Sequence, residues 1–291
     1  MNQVCGMLLP KQNQIRISKY MNMVNVLHRE PNVGDAFFEE ASKIIEEKGA
    51  VIIRGLINQE EAGILKENLA RSIKEDEDKR GRDYLFYGMV HALMTRGQCF
   101  IDLLEDEGIT KTVRNVLGHG AIVYAYNSSS MPTSDTNFSR TIHVDSPRLI
   151  PNYLTNVAVT IALDPFTSEN GAMEILPLSF NKSEMPSEIE FEQNAVKLDN
   201  LEIGDAIIFN ARCCHRGGIN KTDEWRHAVT MNICRSYMRQ QFNYPKMFSK
   251  EQESEFSENV KQFLGYYVRS PKSLDEFLLP PNERPYRPGQ E

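Results

Sequence analysis

The chain has 291 residues, 41% of them hydrophobic and 25% charged, and a formal net charge of −7. No apolar run is long enough to cross a membrane, and the usage is that of an ordinary globular protein rather than a disordered, collagenous or disulfide-built one. The acidic balance offers no clustered cations for a phosphate backbone or anionic lipid, which sets aside nucleic-acid and membrane partners. The five cysteines, Cys5, Cys99, Cys213, Cys214 and Cys234, are odd in number and lack Cys-x-x-Cys spacing, so neither a disulfide framework nor a zinc ribbon is expected. A reducing cytoplasm fits best, and residues 7–10 are too short an apolar run for a signal peptide or anchor.

In chain order, residues 1–34 read as an irregular extension. Over 35–48 the apolar positions Ala36, Phe37, Ala41, Ile44 and Ile45 recur at helical spacing, with Gly49 as the stop. Residues 50–53 form a β-branched run closed by Gly55, and Asn58 stands where a cap would open a second, charged helix toward Asp78. The stretch 84–117 is mostly helical in pattern, broken near Gly97 and Gly108. The period then changes. Residues 121–126, 156–163, 172–176, 206–209 and 228–234 read as short strands separated by turn residues, as in a β-sandwich or jelly roll. Between two of them an acidic insertion, 179–194, reads as a solvated loop, with a lid as the functional alternative. An acidic helix over 249–263 and a proline-rich tail from Pro271 close the chain. The tail is expected on the surface or against a partner subunit, which leaves a homodimer possible. The reading is one domain over 1–291: extension 1–34, mainly helical support 35–120, β core 121–240, and C-terminal helix and tail 241–291.

The informative residues are His143 and Asp145, followed seventy residues later by His215. Two imidazoles and a carboxylate can occupy one face of an octahedral ion and leave three positions open, a set suited to non-haem Fe(II). Residues i and i+2 of a strand point the same way, so His143 and Asp145 can share an ion while a third ligand arrives from a distant strand. Taken alone, His-x-Asp is a weak signal. His28, His91, His119 and His227 are read as structural or solvated. Cys213 and Cys214 are adjacent, so on a strand they face opposite ways and do not share a metal; they read as small strand residues, oxidation-prone near an iron.

Neighbouring motifs make the signal specific. The run Asp164-Pro165-Phe166-Thr167-Ser168-Glu169-Asn170-Gly171-Ala172-Met173 resembles the T-x-E-N-G turn of phytanoyl-CoA dioxygenase-like enzymes. The run Gly204-Asp205-Ala206-Ile207-Ile208-Phe209, then His215-Arg216-Gly217-Gly218-Ile219-Asn220 and Arg226, resembles their distal-histidine block with its arginine eleven residues on. The helix, strand, helix opening before residue 80 is similar too, so the resemblance covers roughly 35–240.

That resemblance implies a mainly β fold, a double-stranded β-helix (jelly roll, cupin-like) with flanking helices. It implies an Fe(II)- and 2-oxoglutarate-dependent dioxygenase that uses O2 and releases succinate and CO2. His143, Asp145 and His215 would hold the iron and Arg226 the far carboxylate of 2-oxoglutarate, for which a guanidinium offers two parallel hydrogen bonds. Related halogenases have a small residue where this chain has Asp145, so oxygen transfer is expected: hydroxylation first, with desaturation, epoxidation or ring formation as variants.

Three departures stand out. The P-G-S-H ending of the turn block is Pro177-Leu178-Ser179-Phe180, Met173 stands where relatives often have a threonine touching the cosubstrate, and Arg140 replaces a glutamine three residues before the first ligand. Arg140 is therefore a candidate cosubstrate contact, and Arg140 or Arg148 a candidate for a polar or acidic group on the substrate. Ser146 and Arg148 directly follow the ligand pair. Tyr84 and Tyr87, with Phe86 and Met89, fall in the region that packs on the jelly-roll mouth in relatives, and Tyr124 and Tyr126 are expected on one strand face. The expected substrate is a small molecule, such as an amino-acid derivative or natural-product intermediate. A non-catalytic metal- or ligand-binding jelly roll and a zinc hydrolase using the same ligands are the alternatives.

Overall fold

The computed structural model describes residues 24–287 and 290. Residues 25–28, expected to be irregular, form an edge strand, β1 (Asn25–His28), parallel to β2 (Ala50–Arg54), with Val26 opposite Ile52. Four residues with one covered face are too few to show a period in sequence. The rest of the expected extension, 1–23, lies outside the described residues.

Helix α1 (Asp35–Lys48) buries Phe38, Ala41, Ile44 and Ile45 on one stripe and stops as predicted: Gly49 turns left-handed at φ 90° and its N–H donates to the Ile45 carbonyl. Helix α2 (Gln59–Arg80) opens on a reciprocal cap, in which Asn58 Oδ1 accepts from Glu61 N at 2.9 Å and Glu61 Oε2 accepts from Asn58 N at 3.0 Å.

The next region is less helical than its pattern suggests. Residues 84–92 form turns, 93–95 a single 3-10 turn, and regular helix returns only in α3 (Gln98–Asp102) and α4 (Glu107–Leu117). Gly108 does not break a helix. Asp106 caps α4 by accepting from Ile109 N at 3.0 Å, which puts Gly108 in the first turn, and a Cβ there would lie 2.6 Å from Leu56 Cδ1. Its glycine reflects close packing.

Beyond residue 120 the strands are β3 (Ile122–Ser128), β4 (Asn156–Ala162), β5 (Glu174–Ile175), β6 (Val196–Lys197), β7 (Ala206–Asn210), β8 (His215–Arg216) and β9 (Ala228–Cys234). Helix α5 (Glu188–Asn194) lies between β5 and β6. A six-stranded sheet runs β1-β2-β7-β4-β9-β3, antiparallel after its first pair, and a small sheet runs β6-β5-β8. Strands β2, β4, β7 and β9 alternate between two faces. Val51, Ile53, Val157, Val159, Ile161, Ile208, Val229, Met231 and Ile233 pack with residues of α1, α2 and α4. Ala50, Ile52, Ala158, Ile207 and Phe209 point the other way, onto Met173, Ile175 and Phe180 of the small-sheet side. A jelly-roll core clad by helices follows.

The expected helix over 249–263 is two, α6 (Lys250–Glu255) and α7 (Glu258–Phe263), because Ser257 starts a new cap and Phe256 turns inward. The tail carries a short helix, α8 (Leu274–Leu278). Among the described residues no helix is long and apolar enough to cross a membrane.

Asp164, just past β4, ties the layers together. Its Oδ2 accepts from the backbone N–H and Nδ1 of His227, each at 2.9 Å, and its Oδ1 pairs with Lys66 of α2 at 2.5 Å. Burial pushes its pKa up, but hydrogen bonds from His227 and Lys66 outweigh that and hold it at about 2, below the usual 3.8. A depressed carboxylate stabilises the fold above its unfolded pKa and loses that contribution as pH falls through its folded one. Asp164→Asn should therefore be less stable than the parent at pH 7, by about 1–2 kcal/mol after discounting for solvent screening. In chemical denaturation the gap should close between pH 4 and 2. Gly49→Ala adds a Cβ 2.6 Å from Phe180 Cδ1 at a left-handed φ. It should cost about 2 kcal/mol or more and lower Tm by several degrees.

Candidate metal centre

Residues 142–145 run alongside β8. The His143 N–H donates to the His215 carbonyl and the His215 N–H to the His143 carbonyl, both at 3.0 Å, while Asp145 N donates to Ala211 O at 2.8 Å. Alternation sends His143 and Asp145 toward the interior and Ile142 and Val144 onto Leu176, Phe191 and Cys214. The two imidazoles lie with centroids 4.2 Å apart.

Each ring is held by its Nδ1, that of His143 2.7 Å from the Thr141 carbonyl and that of His215 3.0 Å from the Cys213 carbonyl. A carbonyl only accepts, so both Nδ1 atoms carry the proton and both Nε2 atoms present a lone pair. Those Nε2 atoms stand 3.7 Å (His143) and 4.0 Å (His215) from Asp145 Oδ1, and the three donors lie within 4.8 Å of one another. The spacing is too long for hydrogen bonds and short enough for one ion to bridge. Burial lowers the His215 pKa, opposed by Asp145, which favours the neutral ligand form. The donor set fits a hard-to-borderline divalent metal with open positions.

The triad lines a cavity of about 220 Å³. Across it stand Tyr124, Asn127, Thr160, Thr230 and Asn232 of the large sheet, with Phe166, Met173 and Arg226. Arg226 is 2% exposed. Its Nη1 donates to Ser129 O at 3.0 Å and its Nη2 to Gly171 O at 2.9 Å, its guanidinium lies 4.2 Å over the Phe166 ring, and its Nε has no partner. Burial pushes its pKa down to about 9, countered by Asp164, so it remains charged at neutral pH. A buried cation held by carbonyls, with an N–H unspent and no ion pair among the described residues, is half of an anion site.

Other residues singled out from sequence fall elsewhere. Tyr126 is fully buried against Phe100 in the helix-side core. The β3–β9 register shifts between Val123 and Ala125, and this bulge turns Tyr124 and Ala125 to the cavity and Tyr126 away, so the two tyrosines do not share a face. Ser146 is buried, its Oγ 3.0 Å from Thr155 Oγ1, and is spent on holding its loop. Arg148 is exposed and off the cavity wall. Tyr84 and Tyr87 pack edge to face on each other, with the Tyr87 hydroxyl 3.3 Å from Glu77, and neither lines the cavity. Arg140 is half-buried outside the lining, while its neighbour Ser139 is part of it. Cys213 Sγ lies 3.4 Å from Gly49 O and Cys214 Sγ 3.8 Å from Met185 Sδ, so the two point to different partners as expected, but both lie in the irregular segment before β8 and not in a strand. The lining residues Asn127, Thr160, Thr230 and Asn232 went unremarked in sequence. Their signal is polarity at alternate positions of otherwise apolar strands, as in Thr230-Met231-Asn232.

Comparison with known proteins agrees with this geometry. Residues 45–228 match the family described as phytanoyl-CoA dioxygenase (PhyH). The uncharacterized protein Rv1501 of Mycobacterium tuberculosis is 30% identical over 209 residues, which cover 70% of this chain and 76% of that one. Dioxygenase ALT11 of Alternaria alternata is 24% identical over 264 residues, 82% of this chain and 85% of that one. Among solved structures, the epimerase SnoN in complex with Fe3+, alpha ketoglutarate and nogalamycin RO shares the fold at a TM-score of 0.55 and 18% identity, covering 69% of this chain and 84% of that chain. The chain belongs to the phytanoyl-CoA dioxygenase family and is an Fe(II)- and 2-oxoglutarate-dependent oxygenase.

Proposed function

We propose that His143, Asp145 and His215 hold the ferrous ion, that Arg226 receives the distal carboxylate of 2-oxoglutarate, and that the enzyme hydroxylates a small-molecule substrate. The observation that carries this reading is Arg226, a buried guanidinium without a carboxylate partner on the same cavity as the three donors. When bound, iron with 2-oxoglutarate and O2 supplies an oxidant able to take hydrogen from a C–H bond, with release of succinate and CO2.

The chain's own part is positional. The carbonyls of Thr141 and Cys213 keep both imidazoles in the ligating tautomer, and Asp145 fills the third protein position with a carboxylate, which supports oxygen transfer over halogenation. Phe166 under the guanidinium and Met173 beside it keep the cosubstrate end dry, which strengthens the charge-assisted bonds there. Among the described residues Asp145 is the only carboxylate in the cavity wall, which also includes Asn127 and Asn232. Such a wall favours a substrate rich in oxygen acceptors over a cationic amine.

Anaerobic addition of Fe(II) and then 2-oxoglutarate should produce the weak visible metal-to-ligand charge-transfer band of the chelate. Arg226→Lys should weaken 2-oxoglutarate binding by about tenfold or more while Fe(II) still binds, because lysine cannot reproduce the planar fork. Asp145→Ala should lose the band. Succinate formation across candidate metabolites, with mass spectrometry for a gain of one oxygen, then identifies the substrate. A chain that binds iron but forms no chelate would refute the reading.

A further inference from the structure

The small sheet has strands of only two residues, well below the usual strand length, yet β8 and the segment paired with it carry all three metal donors. Two hydrogen bonds per pair do not hold such a sheet rigid by themselves. Its inner side faces the cavity, and its outer side is covered by α5. This is the insertion read from sequence as a solvated loop or a lid, and none of 179–194 lines the cavity.

The packing is specific. Phe191 of α5 is fully buried with Leu176 and Cys214, against Ile142 and Val144, the residues that alternate with His143 and Asp145. On the neighbouring strand Arg216 directly follows His215 and is 5% exposed. Its Nε donates to Glu174 Oε2 of β5 at 2.6 Å, its Nη1 donates to Glu188 of α5, and its Nη2 lies 3.7 Å from Glu192 of the same helix. Its guanidinium also sits 5.0 Å over the Phe191 ring. Glu188 and Glu192 are more than half exposed and screened, so the burial of Phe191 and the Arg216–Glu174 pair carry most of this contact. The neighbours of all three donors thus end on one helix, Arg216 from a position that also borders the cavity.

We propose that α5 is a buttress for the metal ligands, with Phe191 on the side away from the metal and Arg216, which borders the cavity while its guanidinium is held by α5, as positioning residues that set the spacing of His143, Asp145 and His215. The proposal rests on reading those three residues as the metal ligands. A supporting residue of this kind acts on metal affinity through ligand orientation, an effect typically of about tenfold to a hundredfold.

The test uses Co(II) as the metal probe on the full chain, with affinity from calorimetry, geometry from the visible d–d spectrum, and Tm of the metal-free protein. Phe191→Leu and Arg216→Gln are compared with the parent and with Phe100→Leu, a core substitution on the far, helix-clad side of the large sheet. Phe191→Leu and Arg216→Gln should each weaken Co(II) binding by about tenfold or more and change the spectrum, while Phe100→Leu lowers Tm without moving affinity or spectrum. Parent-like affinity in either variant removes that residue from the buttress. An equal loss in Phe100→Leu overturns the proposal as a whole, since general destabilisation then explains it. A parent chain that takes up no Co(II) overturns the assignment of the triad as well, so the two failures are told apart.

Discussion

The candidate metal centre depends on one antiparallel backbone pairing between residues 72 apart in sequence, His143 with His215. A net gain of about 1 kcal/mol per hydrogen bond is small against the entropy of ordering two loops, so the pair needs support at both ends. It has that support. Gly217 N donates to Ser139 O at 2.7 Å on one side, and Asp145 N and Ser146 N both donate to Ala211 O on the other, at 2.8 and 3.0 Å. The strip 139–146 is thereby zipped along 211–217, and the period of two does the rest: one register places three donors on the cavity side, and a slip of the strip by one residue would turn His143 and Asp145 away from His215.

Charge is handled differently at the site than elsewhere. Asp205, also buried, is met by Arg54 and by the N–H groups of Gly55 and Glu202, and Asp164 by His227 and Lys66. Arg216 is met by three carboxylates. Arg226, the other deeply buried arginine among the described residues, is left with carbonyls and an aromatic face. Removing a cation from water without a counter-charge is costly, and the cost is largest at Arg226, since Arg235, held in the same way by carbonyls and the Tyr153 ring, is only half-buried.

Which parts were legible from sequence follows from length and period. Helix α1 with its Gly49 stop and α2 with its Asn58–Glu61 cap are long and carry local chemistry at their ends, so the chain announces them. Strands β4, β7 and β9 are runs of five to seven residues that are buried almost throughout. Strands β6 and β8 have two residues, too few for any periodicity, and exist because β5 and the ligand segment pair with them. The bulge at Tyr124 is a property of the β3–β9 register and is invisible in either strand alone, which is why Tyr126 reads as a pocket residue and sits in the core. Residues 84–92 have helical composition, yet Ser128 and Ser130 pin them in an extended turn: Val90 N donates to Ser128 Oγ at 2.9 Å and Ser130 N to Gly88 O at 3.3 Å. Tertiary hydrogen bonds override local propensity there.

The departure at 177–180 has a physical resolution that keeps the site intact. Leu178 occupies a left-handed φ of 61° where the family pattern has glycine, a conformation that costs a branched side chain about 1–2 kcal/mol. The next residue compensates. Ser179 Oγ donates to Leu176 O and accepts from Cys214 N, both at 2.7 Å, so the strained turn is fastened to the segment that leads into His215. Phe180 then fills the space beside Gly49, and its carbonyl accepts from Arg212 Nε at 3.1 Å. Arg212 also donates to Pro147 O at 2.8 Å and Lys182 O at 2.7 Å, stapling this turn to the loop just after Asp145. A turn altered in sequence is thus bound to both segments that carry the candidate ligands, and its strain is held by the same contacts that hold those donors, which is the arrangement expected where a fold keeps a functional constraint rather than losing it.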